Sequence, residues 1–324
     1  MNTTEKVAVC SRSFSKNKVL RAELLARYVH VKFNDIGLRL EGDSLIEFLS
    51  GHDKAITALE PIDDYVLSHL PELKVISKYG VGLNMLDMVA MRAHGKRLGW
   101  TGGVNRRSVS ELIIAFAITM LRHVHTANIE VLSGTWRQHV GGELSGRTLG
   151  IIGCGHVGKD LVQLLKPFGC PILVNDIRDY PDFYKAHGIK PVSLDELLAQ
   201  SDLVSLHVPL DESTRNIINA QRLAIMKPTA VLLNAARGGL VDEIALKSML
   251  QNKKLAAAAF DVFADEPPQD TELLNLPNFL VTPHMGGSAE EAIIAMGRAA
   301  IKGLDENSVP EVFDPDNYLP SKEF

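Results

Sequence analysis

Short runs of β-branched and aliphatic residues alternate along the chain with longer stretches whose apolar positions recur every three or four residues. Residues 7–10, 54–58, 74–77, 148–152, 172–175, 203–207, 230–234 and 280–282 are apolar over nearly their whole length and read as strands buried on both faces. Between them, residues 16–28, 44–50, 84–94, 156–168, 193–200, 242–251 and 288–304 have helical spacing, several opening on Ser, Asn or Asp as N-caps. Strand and helix in alternation predict α/β architecture with open, doubly wound parallel sheets. A longer helical pattern runs from residue 108 to about residue 131, and its apolar segment 112–121 is about half the roughly 20 residues that a bilayer span needs, so it predicts a buried helix. The Gly-rich segment 132–147, which carries Trp136, has no periodicity, and a loop of that length is usually functional or an interface element. Thr101, Gly102 and Gly103 mark a domain boundary near residues 100–106.

Composition narrows the class. A chain of 324 residues with 46% hydrophobic content has room for two domains. Its 34 basic and 39 acidic side chains leave a net charge of −5, which disfavours nucleic acid or an anionic membrane as the main partner. The three cysteines, Cys10, Cys154 and Cys170, are too scattered for a disulfide framework, and the first ten residues lack the apolar stretch of a signal peptide, so a reducing, cytoplasmic setting is expected. His123 and His125 stand two apart on a predicted helix and share no face, and no other pair has zinc-helix spacing, so no metal is expected.

The strand ending at Ile152 runs into Gly153-Cys154-Gly155-His156-Val157-Gly158 and then into an amphipathic helix. In that setting Gly153 permits the tight turn, Gly155 admits a pyrophosphate close to the backbone, and Gly158 lets helix and strand pack closely. Asp176 follows at the end of the next strand, where a carboxylate accepts both ribose hydroxyls of an adenosine and repels a 2′-phosphate. NAD is favoured over NADP, although Arg178 could pair with a 2′-phosphate if it turned inward. Cys154 reads as a small buried spacer.

Three later segments leave strands beside Gly or Pro, each with one chemically capable side chain: Asn234-Ala235-Ala236-Arg237-Gly238-Gly239, Asp261-Val262-Phe263-Ala264-Asp265-Glu266-Pro267 and Thr282-Pro283-His284-Met285-Gly286-Gly287. Arg237 offers a permanent, fork-shaped cation for a carboxylate and its adjacent carbonyl. His284 titrates near neutrality and suits proton transfer, with a carboxylate beside it to orient it and raise its pKa. Glu266 and Asp265 compete for that place, and Glu266 is preferred because it directly precedes Pro267.

Together with the Gly153 turn, these segments make the sequence similar to the D-isomer-specific 2-hydroxyacid dehydrogenases over roughly residues 50–300. The resemblance extends to Val204–Pro209 and to Met226-Lys227-Pro228, and it is closest to the phosphoglycerate dehydrogenase-like members. It implies an NAD-binding Rossmann domain (103–289) inserted into a flavodoxin-like substrate domain (1–102 and 290–324), and a homodimer formed largely through the NAD domain. It also implies an NAD-dependent oxidoreductase that interconverts a D-2-hydroxy acid and its 2-oxo acid, with a cleft that closes on both ligands. Arg237, Glu266 and His284 take the catalytic positions. Gly153, Gly155, His156, Val157, Gly158, Asp176, His207, Val208, Pro209, Ala235, Ala236, Asp261, Gly286 and Gly287 take the cofactor positions, with Asp261 on the nicotinamide carboxamide. Tyr79, Gly80, Val81 and Gly82, beside Arg237 and His284, take the substrate positions.

Asp87 keeps the family's acid in the following helix, and Ser110 departs from the commoner alanine. Arg106 and Arg107 leave a phosphorylated substrate such as 3-phosphoglycerate open beside hydroxypyruvate and glyoxylate, and the identity of the acid is not readable. With 40 residues after His284, no C-terminal regulatory domain is expected. Two other functions share these motifs: an NADH-sensing dimeric corepressor scaffold, which retains the triad, and a phosphite or formate dehydrogenase, of which the loop around Tyr79 and Val81 does not favour the formate enzyme.

Overall fold

The computed structural model describes residues 2–311. Residue 1 and the 312–324 portion of the expected substrate domain lie outside the described residues. Contacts divide the chain into two compact units, one built from the residues up to Asn105 together with those from Glu290 onward, the other from Arg106–Ala289.

The first unit holds five parallel strands: β1 Asn2–Val9, β2 Tyr28–Phe33, β3 Lys54–Thr57, β4 Val75–Lys78 and β5 Arg97–Gly99, in the order β2-β1-β3-β4-β5. That is the flavodoxin-like order. Helices cover both faces. On one face Phe14, Leu20 and Leu24 pack with Ala300 and Ile301 of the C-terminal helix Glu290–Gly303 and with Leu304 just after it, and Ser77 also ties the helix down by donating from Oγ to the Ala300 carbonyl at 2.6 Å. At the end of that helix Lys54 Nζ, almost wholly buried, meets Glu5 Oε2 at 2.8 Å and Asp305 Oδ1 at 3.1 Å. Burial works against its charge, but Glu5, Tyr28 and Asp305 outweigh the cost and hold its pKa above the ordinary lysine value.

The second unit holds seven parallel strands: β6 Leu149–Ile152, β7 Ile172–Asn175, β8 Lys190–Pro191, β9 Leu203–Leu206, β10 Val231–Asn234, β11 Ala257–Phe260 and β12 Phe279–Val281. They run β12-β11-β10-β9-β6-β7-β8, the Rossmann order continued by one strand. The order reverses between β6 and β9, so the exits of these two strands border the crevice where such sheets bind ligands.

Three expectations need correction. The stretch 16–28 is not one helix: Ser11 caps Arg12–Lys16, and Asn17 then accepts from the Val19 and Leu20 amides to start Lys18–Leu25, after which Tyr28 begins β2. The helix expected over 108–131 is two helices, Arg106–Leu121 and Val124–Leu132, bent by 64°. His123 adopts a left-handed conformation (φ 55°), and the Leu121 carbonyl is taken by the Gly142 amide, so the irregular loop itself closes the first helix. The expected strands omit 257–260, yet Ala257, Ala258 and Ala259 supply most of β11, because strands inside this sheet are held by burial on both faces rather than by intrinsic preference.

Candidate functional site

At the exit of β6, Gly153 has φ 96°, and a Cβ there would lie 2.7 Å from the His207 carbonyl at the exit of β9. Gly158, in the first turn of the helix His156–Leu165, would put a Cβ 2.2 Å from the Gly153 carbonyl oxygen. Gly155, the N-cap of that helix, has open space where its Cβ would be. Two of the three glycines are therefore required by the fold, while the third keeps the helix N-terminus clear for an anion. Asp176, at the exit of β7, braces this loop: its Oδ2 accepts the Cys154 amide at 2.5 Å and its Oδ1 the Arg178 amide at 2.8 Å. The Arg178 side chain hydrogen-bonds Tyr180. The Cys154 thiol, fully buried, is pushed up to about 12 by burial and by Asp176, which keeps it protonated and unreactive.

His156 opens the helix, its pKa lowered by desolvation and by Arg106 and Lys159. Val157 packs against the core. His207 is held down to about 3 by burial, so its ring, bonded through Nε2 to Ser205 Oγ at 2.8 Å, stays neutral at physiological pH. Val208 and Pro209 follow it, and Ile177, beside Asp176, is among the most exposed apolar side chains. These groups fit a dinucleotide: an anion cradle at a helix N-terminus, a carboxylate for ribose hydroxyls, and exposed apolar side chains near the adenine end.

The exits of β10, β11 and β12 carry the second cluster. Asn234, buried at the end of β10, accepts the Ala236 amide on Oδ1 (3.1 Å) and donates from Nδ2 to the Arg237 carbonyl (2.9 Å), which fixes the turn that presents Arg237 beyond Ala235 and Ala236. Arg237 is largely buried. Burial lowers its pKa, and the opposite charge of Glu266 works against that effect. Glu266 anchors itself by accepting the Phe263 amide on Oε1 (3.1 Å), and its Oε2 lies 2.8 Å from His284 Nδ1. Asp265 takes no part in that pair. His284 has φ 52°, uncommon for a side chain of this size, and the loop enforces it. Its amide donates to the Asp261 carbonyl at 2.8 Å, while the buried Asp261 carboxylate accepts Thr282 Oγ1 (2.5 Å) and the Met285 amide (2.8 Å) on one oxygen and the Gly286 amide (2.7 Å) on the other. Asp261 thus organises the 282–286 loop. Gly287 ends the loop. With Nδ1 committed to Glu266, the half-exposed His284 ring keeps Nε2 for an incoming oxygen.

In the first unit, Tyr79 leaves β4 and is mostly buried, edge-on to Phe14 at 5.4 Å; burial raises its phenol pKa, and Ser13 hydrogen-bonds it. The amides of Gly80, Val81 and Gly82 donate to nothing among the described residues. Successive unbonded amides of this kind suit an anion. Arg107, a candidate for a substrate phosphate, has its fork on the buried Asp160 carboxylate (2.9 and 3.0 Å). Asn234 and Thr282, which hold the loops carrying Arg237 and His284 in shape, are not visible as site residues in the sequence, because their partners, the 236–237 backbone and the Asp261 carboxylate, meet them only in the folded chain.

The profile of the D-isomer specific 2-hydroxyacid dehydrogenase NAD binding domain matches residues 114–286. The chain is 38% identical over 235 residues to a D-3-phosphoglycerate dehydrogenase of Methanocaldococcus jannaschii, covering 72% of this chain but only 45% of that enzyme. It is 36% identical over 263 residues to a hydroxypyruvate reductase of Thermotoga maritima, covering 78% of this chain and 84% of that enzyme. A glyoxylate reductase structure from Paecilomyes thermophila superposes with a TM-score of 0.82 at 28% identity, over 92% of this chain and 94% of that one.

Proposed function

Because the chain belongs to the D-isomer specific 2-hydroxyacid dehydrogenase family, we propose that it is an NAD-dependent enzyme interconverting a D-2-hydroxy acid and its 2-oxo acid, and that it runs as a 2-oxo acid reductase at neutral pH. The observation that carries this reading is the His284 Nδ1–Glu266 Oε2 pair at 2.8 Å, with Arg237 at the exit of the strand paired to the one that leads to Glu266. When bound along the Gly153–Gly158 turn and Asp176, NADH would supply the hydride to C2 of the oxo acid, and NAD+ would accept it in the oxidative direction. The chain's own groups do the rest. Arg237 holds the substrate carboxylate and draws electron density from the carbonyl. His284 gives a proton from Nε2 to the oxygen that develops negative charge, and its ring stays bonded through Nδ1 to Glu266, which fixes the tautomer. In the oxidative direction the neutral ring takes that proton back. Proton transfer of this kind is worth about 10²- to 10⁴-fold in rate. The unbonded amides of Gly80, Val81 and Gly82 support the same substrate class, since a carboxylate is what they would bind best.

The substrate we favour is a short, unphosphorylated 2-oxo acid, glyoxylate or hydroxypyruvate. Arg107 would have to leave a buried, bidentate carboxylate to receive a phosphate, which is costly. The test is NADH oxidation with glyoxylate, hydroxypyruvate, pyruvate, 2-oxoglutarate, branched oxo acids and phosphohydroxypyruvate. Either favoured acid is expected to exceed phosphohydroxypyruvate about tenfold or more in kcat/KM, a preference of at least about 1.4 kcal/mol. Turnover of none of them, with NADH still bound tightly, would favour the corepressor-like scaffold instead.

A homodimer through the second unit belongs to the same reading. The helix Val124–Leu132 buries none of its residues, and Val124, Ile129, Val131 and Leu132 form an exposed apolar strip that continues through Trp136 (86% exposed) and Val140 (95%). A strip of this size calls for a partner, and a second copy would meet it with its own. Light scattering on the eluting protein should give twice the chain mass, and Leu132→Glu with Trp136→Glu should give the single chain; an unchanged mass in the double variant would place the interface elsewhere. The three cysteines are free thiols, two of them buried, which suits the reducing cytoplasm proposed for the enzyme.

A further inference from the structure

The segment that carries Glu266 is held by few contacts. Phe263 is fixed by its ring, which packs with Phe260 and Phe279 in a three-ring cluster, but the four residues that follow it are exposed. Among the described residues, two hydrogen bonds reach the 262–267 backbone from outside that stretch: Gln269 Nε2, two residues further along the chain, donates to the Pro267 carbonyl at 2.9 Å, and Glu243 Oε1, from a different element, accepts the Ala264 amide at 2.9 Å. Glu243 is the first residue of the helix Glu243–Gln251, which follows directly on the Arg237 turn, and its carboxylate is half-buried. The Arg237 turn and the Glu266 segment also touch backbone to backbone, since a Cβ on Gly238 would lie 1.8 Å from the Phe263 carbonyl oxygen. Asp265 and Asp270 face the same carboxylate, and Lys247, one turn along the helix, is already paired with Asp270 at 2.8 Å and Glu272 at 3.1 Å. Burial and those two acids raise the Glu243 pKa. A half-buried acid among like charges is unfavourable by itself, and what it gains here is the Ala264 amide.

We propose that Glu243 is a positioning residue for the Glu266–His284 pair: by capturing the Ala264 amide it fixes the segment that aims Glu266 at His284, and it ties that segment to the turn presenting Arg237. The inference rests on the catalytic roles given above to Glu266 and His284. It requires an acceptor oxygen at position 243 and no negative charge. Glutamine keeps the acceptor; alanine removes it.

The experiment is a double-mutant cycle on the full chain, with Glu243→Ala, Glu243→Gln, Glu266→Gln and the pair Glu243→Ala with Glu266→Gln, read as kcat and KM for the best 2-oxo acid, NADH affinity by fluorescence, and Tm. Glu243→Ala is expected to lower kcat about tenfold, with KM and NADH affinity within about twofold of the parent, since misplacing a catalytic group weakens the reaction step more than ligand capture. Glu243→Gln is expected to stay within about twofold of the parent in kcat. The double variant should be no slower than Glu266→Gln alone, because two residues that act through one pair are not additive. Additive losses, a Gln variant as slow as the Ala variant, or NADH affinity falling in step with kcat would each overturn the inference while leaving the catalytic reading intact. A Glu266→Gln variant with undiminished kcat would overturn both.

Discussion

Replacing Arg237 with alanine is expected to lower kcat/KM for a 2-oxo acid by about 10³-fold, close to 4 kcal/mol of transition-state stabilisation, while NADH binds as before. The size follows from the environment. The guanidinium is largely buried beside a turn that Asn234 clamps from both sides, so in the proposed reaction its charge would act on the carbonyl with little water to screen it. It is fixed before substrate arrives, which spares the reaction the cost of reorienting a dipole. The NADH prediction follows from position: Arg237 lies past Ala235 and Ala236 at the exit of β10, whereas the phosphate cradle is built at the exit of β6. Lysine should recover only part of the loss, since its single ammonium cannot present the two parallel N–H groups that a carboxylate and carbonyl together accept. Steady-state kinetics on the alanine and lysine variants decide the matter, and a loss below tenfold for alanine would remove Arg237 from the mechanism.

The features legible in the sequence were those whose chemistry is local. The turn 153–158 announces itself because three glycines, a preceding strand and a following helix are needed within a few residues of one another, and the structure gives Gly153 and Gly158 physical reasons to be glycine. The choice of Glu266 over Asp265 also rested on a local cue, the proline that follows it, and the 2.8 Å contact to His284 falls on Glu266. What escaped depends on distant groups. Strand β2 alternates polar and apolar side chains at a sheet edge, a weaker signal than the solid apolar runs of the central strands. The bend at His123 accompanies a contact distant in sequence, the Gly142 amide capturing the Leu121 carbonyl of the first helix. Asn234, Thr282 and Glu243 are ordinary polar residues in the sequence, and their importance arises only when the ends of β10, β11 and β12 come together and leave backbone amides and carbonyls that need partners. Arg107 is the converse case: beside Arg106 it looked available for a phosphate, and the helix 156–165 supplies Asp160 to occupy it.

The two helix-entry glycines should separate by which property each substitution damages. Gly158→Ala places a methyl group 2.2 Å from the Gly153 carbonyl oxygen, and both atoms are backbone-fixed, so the helix must move off the strand. The expected result is a lower Tm together with NADH binding weakened by about 100-fold or more, because the amides at the helix N-terminus no longer face the position where the pyrophosphate lies. Gly155→Ala meets no atom of the chain, and its φ of −77° is open to alanine, while its ψ of −149° lies just past the edge of the β region and costs a little. Its Tm in the absence of cofactor should fall by no more than the 2–4 °C that about 1 kcal/mol shifts a domain the size of the second unit. NADH affinity should nevertheless fall about tenfold or more, since the methyl group then fills the space through which a pyrophosphate approaches the backbone. Thermal melts with and without NADH, beside fluorescence titrations of both variants, read the two effects separately. If Gly155→Ala bound NADH as tightly as the parent, the open space above the helix N-terminus would not be where the phosphates sit, and the dinucleotide would have to lie elsewhere along the crevice between β6 and β9.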